Sequence, residues 1–151
     1  MLFIGPAPSL SGDVLGKALT GPEDRLLKQA LEDASRKAGW TPTYYITNLV
    51  ACRSWDPESR HDRDPAEDEI IACRSRLMSL VARVRPERII LLGPVAQQEG
   101  VKIFPDATGI PHPEGIIYSG GALHSALITV AYQRFWMSLW GIIKKIKKEG
   151  E

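Results

Sequence analysis

Apolar residues in this chain bunch into short runs, and between those runs lie polar segments with helical spacing. Leu2-Phe3-Ile4 reads as a buried strand that stops at the turn residues Gly5-Pro6-Ala7-Pro8-Ser9. From Pro22 the period changes. Leu26, Leu27, Ala30, Leu31 and Ala34 fall on one helical face, with proline in the first turn and Gly39 at the end. Residues 43–52, rich in β-branched and aromatic side chains, predict a second strand.

A polar loop spans 53–63. Asp64-Pro65-Ala66-Glu67 then predicts a capped helix start with proline at the first helical position, and the helix runs to about Val84. Ile89 to Leu92, between Pro86 and Gly93, predict a third strand, and 94–100 a short helix. Residues 101–113 read as a weak strand and a loop. A long helix follows from about Ala122, with a solvated lysine end.

Strands alternating with helices at this spacing predict an α/β fold: one domain over 1–151, a three-layer α/β/α sandwich around a short, mostly parallel sheet. Sites in such sheets lie beyond the carboxyl ends of the strands. Three segments fall there: the turn from Gly5 to Asp13, the second strand's end at Asn48, and the loop carrying His112.

Composition narrows the classes. Hydrophobic residues make up 44% and charged residues 25%, an ordinary globular mixture, and a formal net charge of +1 excludes a strongly basic nucleic-acid binder. Two cysteines, Cys52 and Cys73, are too few for a disulfide scaffold and suit a reducing cytoplasm. The N-terminal residues lack a signal peptide's charged start. The apolar 126–143 stretch is interrupted by Gln133 and Arg134, so it reads as a core helix, with no membrane partner. Trp136, Met137 and Trp140 fit helix-packing positions there. His61 lies in a charged loop and His124 on the last helix. His112 stands between two prolines, which fix the backbone around one imidazole.

Taken in order, FIGPAPS, YYITNLVACR, RDPAEDEIIACRSRL, RPERIILLG and HPEGII resemble the uracil-DNA glycosylase superfamily, nearest its iron–sulfur branch, over roughly Leu2 to Ile117. Gly5-Pro6-Ala7-Pro8-Ser9 matches the family's Gly-Glu-Ala-Pro-Gly, and Gly12-Asp13 its downstream acid–aspartate pair. Gly16 to Leu19 matches its Gly-x-Pro-Phe, Ile46-Thr47-Asn48 its Ile-Thr-Asn, and His112-Pro113 its His-Pro. The resemblance implies a glycosylase that hydrolyses the N-glycosidic bond of uracil or a related damaged base in DNA. In that role His112 stabilises the departing base and Asn48 selects it, while Asp13 shapes the water site. Gly5, Pro6, Ala7, Pro8, Ser9 and Leu19 would line the base pocket.

Arg53, Arg60 and Arg63, near the second strand's exit, could face DNA phosphates. Four thiolates hold the cluster in the iron–sulfur branch. Cys52 and Cys73 match the last two ligands, and the first pair would fall ahead of Met1, so neither cofactor nor metal is expected. A cytoplasmic monomer acting on DNA is the expectation. Pro6 and Gly12 stand where the family has acids, Leu19 where it has a stacking phenylalanine, and Tyr118 near a usual arginine. Those departures fit a second class, a DNA- or nucleotide-binding module on the same fold without catalysis.

Overall fold

The computed structural model describes residues 1–118 and 124–150, side chains at 124–129 excepted. Strands β1 (Leu2–Gly5), β2 (Tyr45–Asn48), β5 (Ile89–Leu92) and β6 (Thr108–Ile110) form one sheet in the order β2-β1-β5-β6. All three pairings are parallel. Helices α1 (Leu10–Leu15), α2 (Gly21–Ala38), α3 (Glu67–Val84), α4 (Gly93–Gly100), α5 (Pro113–Ile117) and α6 (His124–Gly150) connect or flank the strands. A separate antiparallel hairpin joins β3 (Trp55–Asp56) to β4 (His61–Asp62).

Alternation along the strands divides the interior in two. Phe3, Ile90 and Leu92 face α2 and α6, where Leu27, Ala30, Leu31 and Ala34 meet Phe135, Leu139, Ile143 and Ile146. Leu2, Ile4 and Leu91 point the other way, toward Ile70 and Leu77 of α3 and Ala96 of α4. A period of two thus buries both faces of β1, as an inner parallel strand requires. The three-layer α/β/α sandwich follows from that burial.

Four local features depart from the sequence expectation. The turn after β1 contains α1, a helix with only six residues, two of them from Ser11-Gly12, so propensity does not announce it. Ser9 caps it, accepting from the Gly12 N–H at 3.3 Å. The second strand is shorter than 43–52 because Leu49 and Val50 donate to the carbonyls of Gly5 and Pro6 beyond the strand ends. The polar loop closes as the β3–β4 hairpin. Asp56 accepts from the amides of Glu58 and Ser59, and Arg60 turns the chain at φ 57.

The third helix begins at Glu67, later than the expected start at Pro65. Its N-cap is Ala66, whose N–H donates to the Glu69 carboxylate at 2.8 Å. Alanine has no oxygen to return, so only half of a capping box forms. Trp136 and Trp140 pack against the core as expected, whereas Met137 is exposed on the outer face of α6. The expected helix start at Ala122 and the His124 side chain lie outside the described residues. Among the described residues no helix is long and apolar enough to cross a membrane.

The α2–α6 seam is the main hydrophobic contact of one layer, and Leu139 is fully buried in it. Leu139→Ala should cost about 2–5 kcal/mol. Equilibrium urea unfolding measures it, as a lower midpoint with unchanged slope.

Candidate active site

The chain leaves β1 toward β2 on one side, and later returns to place β5 on the other. A crevice opens at that reversal, outside the carboxyl ends of β1 and β5. A cavity of about 380 Å³ occupies it, within the usual range for small-ligand pockets. Pro6 to Ser9 form one wall and Leu92 to Val95 another. Leu19, His112 and residues 62–65 also line it.

Parallel register sets Asn48 beside Gly5. The Asn48 side chain is 5% exposed. Its Nδ2 donates to the Ala18 carbonyl at 2.9 Å, which ties the loop bearing Leu19 to the strand end. From α3, Arg76 donates to the Asn48 carbonyl at 2.7 Å and to the Thr47 hydroxyl at 3.3 Å. With Nδ2 engaged, Oδ1 is the free acceptor. It packs over the Cα of Gly5, where any Cβ would stand 2.5 Å from it.

His112 reaches the same point from the far side of the sheet. The chain leaves β6 through Pro111, and Pro113 starts α5. Gly93, at φ 81, makes the turn from β5 into α4, and a Cβ there would lie 2.9 Å from the His112 Cβ. Only glycine suits both that backbone and that approach.

As the N-cap of α5, His112 accepts from the Glu114 N–H through Nδ1 at 3.2 Å. A ring nitrogen that accepts bears no proton, so the neutral imidazole carries its proton on Nε2. Nε2 lies 3.9 Å from the same Cβ position in front of Gly5 that Asn48 Oδ1 borders. Burial lowers the His112 pKa below its usual 6.5, against a smaller upward pull from Glu23. The result is a neutral donor, Nε2–H, beside a neutral acceptor, Oδ1.

The remaining predicted residues divide. Pro6, Ala7, Pro8, Ser9 and Leu19 line the cavity with His112. Asp13 lines an adjoining one of about 280 Å³ with Asn48 and Arg76. Its carboxylate accepts from the Arg53 N–H at 3.0 Å. Arg53 pairs with Asp62 at 2.5 Å and lies over the Trp55 ring at 4.0 Å. Arg63 grips Glu69 with both terminal nitrogens at 2.8 Å, which with the Ala66 amide holds the Glu69 pKa down at about 2. Arg60, at the hairpin tip, is exposed.

Sequence reading missed Glu23, which lines the His112 cavity from the first turn of α2. An acid in a first turn ordinarily serves the helix dipole, so nothing in the local pattern singles it out. A larger cavity, about 690 Å³, lies between α2 and residues 40–44, at the opposite ends of the strands. It gathers neither histidine nor cysteine.

The uracil DNA glycosylase superfamily model matches residues 1–136. The chain belongs to that superfamily. It is 38% identical over 96 residues to the Type-4 uracil-DNA glycosylase of Saccharolobus solfataricus, covering 62% of this chain and 40% of the relative. To the Type-4 uracil-DNA glycosylase of Archaeoglobus fulgidus it is 29% identical over 119 residues, 78% of this chain and 56% of the relative. The chain therefore spans about half the length of the curated relatives it matches.

A cluster held by four thiolates does not fit the residues present. Cys52 is exposed, Cys73 is half-buried near the Ala51 amide at 3.5 Å, and the described residues gather no third donor beside them.

The neutral Nε2–H form of His112 has a direct readout. In a ¹⁵N-detected imidazole titration its midpoint should fall below 6.5, with Nε2 as the protonated nitrogen at neutral pH. Between the native and unfolded pKa values the native state binds fewer protons. Stability from the neutral ring is therefore whole above pH 6.5 and is lost as pH falls through the native value. A midpoint at or above 6.5 contradicts the assignment.

Proposed function

We propose that this protein excises uracil, or a closely related damaged pyrimidine, from DNA by hydrolysing the N-glycosidic bond. What carries this reading is the meeting of His112 Nε2–H and Asn48 Oδ1 in front of Gly5. Uracil presents along one edge a carbonyl O2, an N3–H and a carbonyl O4. Oδ1 accepts from N3–H, and Nε2–H donates to O2. Cytosine offers a lone pair at N3, which would face the lone pairs of Oδ1, so the same geometry discriminates against it.

Bond cleavage leaves negative charge on the base, spread onto O2. The Nε2–H donor strengthens as that charge develops and so favours the transition state over the ground state. A neutral imidazole keeps its proton while doing this. Its burial and the Glu114 amide behind Nδ1 support that state. Leu19 and Pro94 give the flipped base apolar contact, and leaving the stack costs a few kcal/mol. Asp13 is a positioning group, holding the Arg53 amide and with it the hairpin wall.

The proposed DNA surface is the hairpin side of the cavity. Arg60 is free to meet a phosphate, while Arg53 and Arg63 would have to share theirs with Asp62 and Glu69. The names of the curated relatives support uracil in DNA as substrate. We further place the chain as a single domain over 1–151, a monomer of the cytoplasm, where two free thiols are at home.

The test uses end-labelled oligonucleotides with one uracil or one cytosine at the same place, treated with protein and then alkali. Scission is expected at uracil only. In His112→Ala it should fall about 10²–10³-fold, the loss typical of one oxyanion donor. Binding of the uracil strand without scission, in the wild-type protein, would assign the chain to the non-catalytic binding class instead.

A further inference from the structure

Hydrolysis needs a group to take a proton from water, and the proline at position 6 removes the acid that the family motif carries there. Each carboxylate around the crevice can be asked whether it is free and where it faces. Asp13 accepts from the Arg53 amide and lines the adjoining cavity. Asp62 is paired with Arg53, and Glu69 with Arg63. Asp64 lines the same cavity as His112 but is exposed to solvent. Glu114 is 64% exposed and stands 4.0 Å from Nδ1, behind the imidazole and away from Nε2.

None of these combines the three properties of Glu23. It is half-buried, lines the His112 cavity, and accepts no hydrogen bond or ion pair from the described residues. Its carboxylate curls back over Gly21, 3.4 Å from where a Cβ would be. Gly21, at φ 67, carries none and leaves the space open. Glu23 and His112 line the same cavity, and the Glu23 charge pulls the His112 pKa upward against the larger effect of burial.

From this placement we infer that Glu23 is the general base of the reaction, in the role left open by Pro6; the inference rests on the glycosylase reading above. The C1′–N1 bond breaks and its electron pair leaves with the base, whose O2 is held by His112 Nε2–H. The oxygen of one water bonds to C1′, and the water's proton passes to the Glu23 carboxylate. Glu23 later returns that proton to the departed base, which restores the site and gives the free base and a sugar hydroxyl. Before that, the anionic carboxylate also favours the positive charge that develops on the sugar.

The experiment measures single-turnover excision of uracil from a labelled oligonucleotide by the full chain. It also measures binding of the same strand carrying an uncleavable 2′-fluorouridine. Glu23→Gln, which keeps size and removes the charge, should slow excision about 10²–10³-fold while binding stays within about twofold. Glu23→Ala should be slow as well, and sodium formate should restore part of its rate by supplying a mobile carboxylate. Glu32→Gln, the same change further along α2, should match the wild type.

Glu23→Gln within about threefold of wild type would overturn the assignment, as would a loss that tracks weaker binding and is not restored by formate. In either case a wild-type excision that still depends on His112 leaves the glycosylase reading standing. A wild-type protein that excises no uracil would remove both. Thermal melts of each variant keep a folding defect from passing as a catalytic one.

Discussion

Two side chains from opposite edges of the sheet can meet here only because the strand between them ends without a Cβ. Gly5 closes β1, and both Asn48 from β2 and His112 from beyond β6 reach the space in front of its Cα. An alanine methyl would stand 2.5 Å from the Asn48 oxygen, far inside contact distance. The strand order serves the same end. β1 and β5 lie at the centre, so their carboxyl ends make the floor of the crevice, and the outer strands bring the polar groups to it from either side. Gly93 repeats the device one strand over, letting the backbone of β5 pass under the imidazole. The site is thus built from the absence of side chains at two strand ends as much as from the presence of others.

That geometry has an electrostatic consequence. A charged imidazolium in a cavity with Glu23 and Glu114 would make ion pairs and lose its aim. Burial opposes protonation, and the Glu114 amide occupies the nitrogen that would otherwise take the proton. Neutral His112 keeps a single donor pointing one way. Asn48 is restricted similarly: its amide nitrogen donates to the Ala18 carbonyl, which fixes the side chain so that Oδ1 borders Gly5. Each residue can face two ways in isolation, and each is reduced to one by a neighbouring backbone group. Selectivity in a pocket depends on that reduction, because a group free to rotate satisfies donors and acceptors alike.

The strands and long helices were legible because their patterns are repetitive. Leu2-Phe3-Ile4, Ile89 to Leu92, and the 3.6-residue spacing of α2 each give several residues that agree. Asn48 and His112 were legible through their position at strand ends, together with the family motifs around them. The hairpin was not, since its turn rests on the Asp56 side chain and a left-handed arginine rather than on glycine. Nor was the engagement of Arg53 and Arg63 visible, because Asp62 and Glu69 become partners only when the hairpin closes onto α3. Charge counted along the chain suggested a phosphate-facing cluster. In space most of that charge is answered within the protein.

Asp13 and Glu23 show where matching by motif and matching by cavity part company. Asp13 follows the proline-containing turn at the family's spacing, yet α1 intervenes and aims its carboxylate at the Arg53 amide. Glu23 stands ten residues further on, past two turns, and α2 brings it back to the strand ends. A short helix inserted in a loop redirects every side chain after it, so sequence neighbours of a motif need not be spatial neighbours of the site. The catalytic demand is for a free carboxylate facing the cavity, and chain position is only one way of meeting it. With Pro6 in the first motif, the base proposed here comes from another element, α2, whose first turn brings a half-buried carboxylate to the pocket.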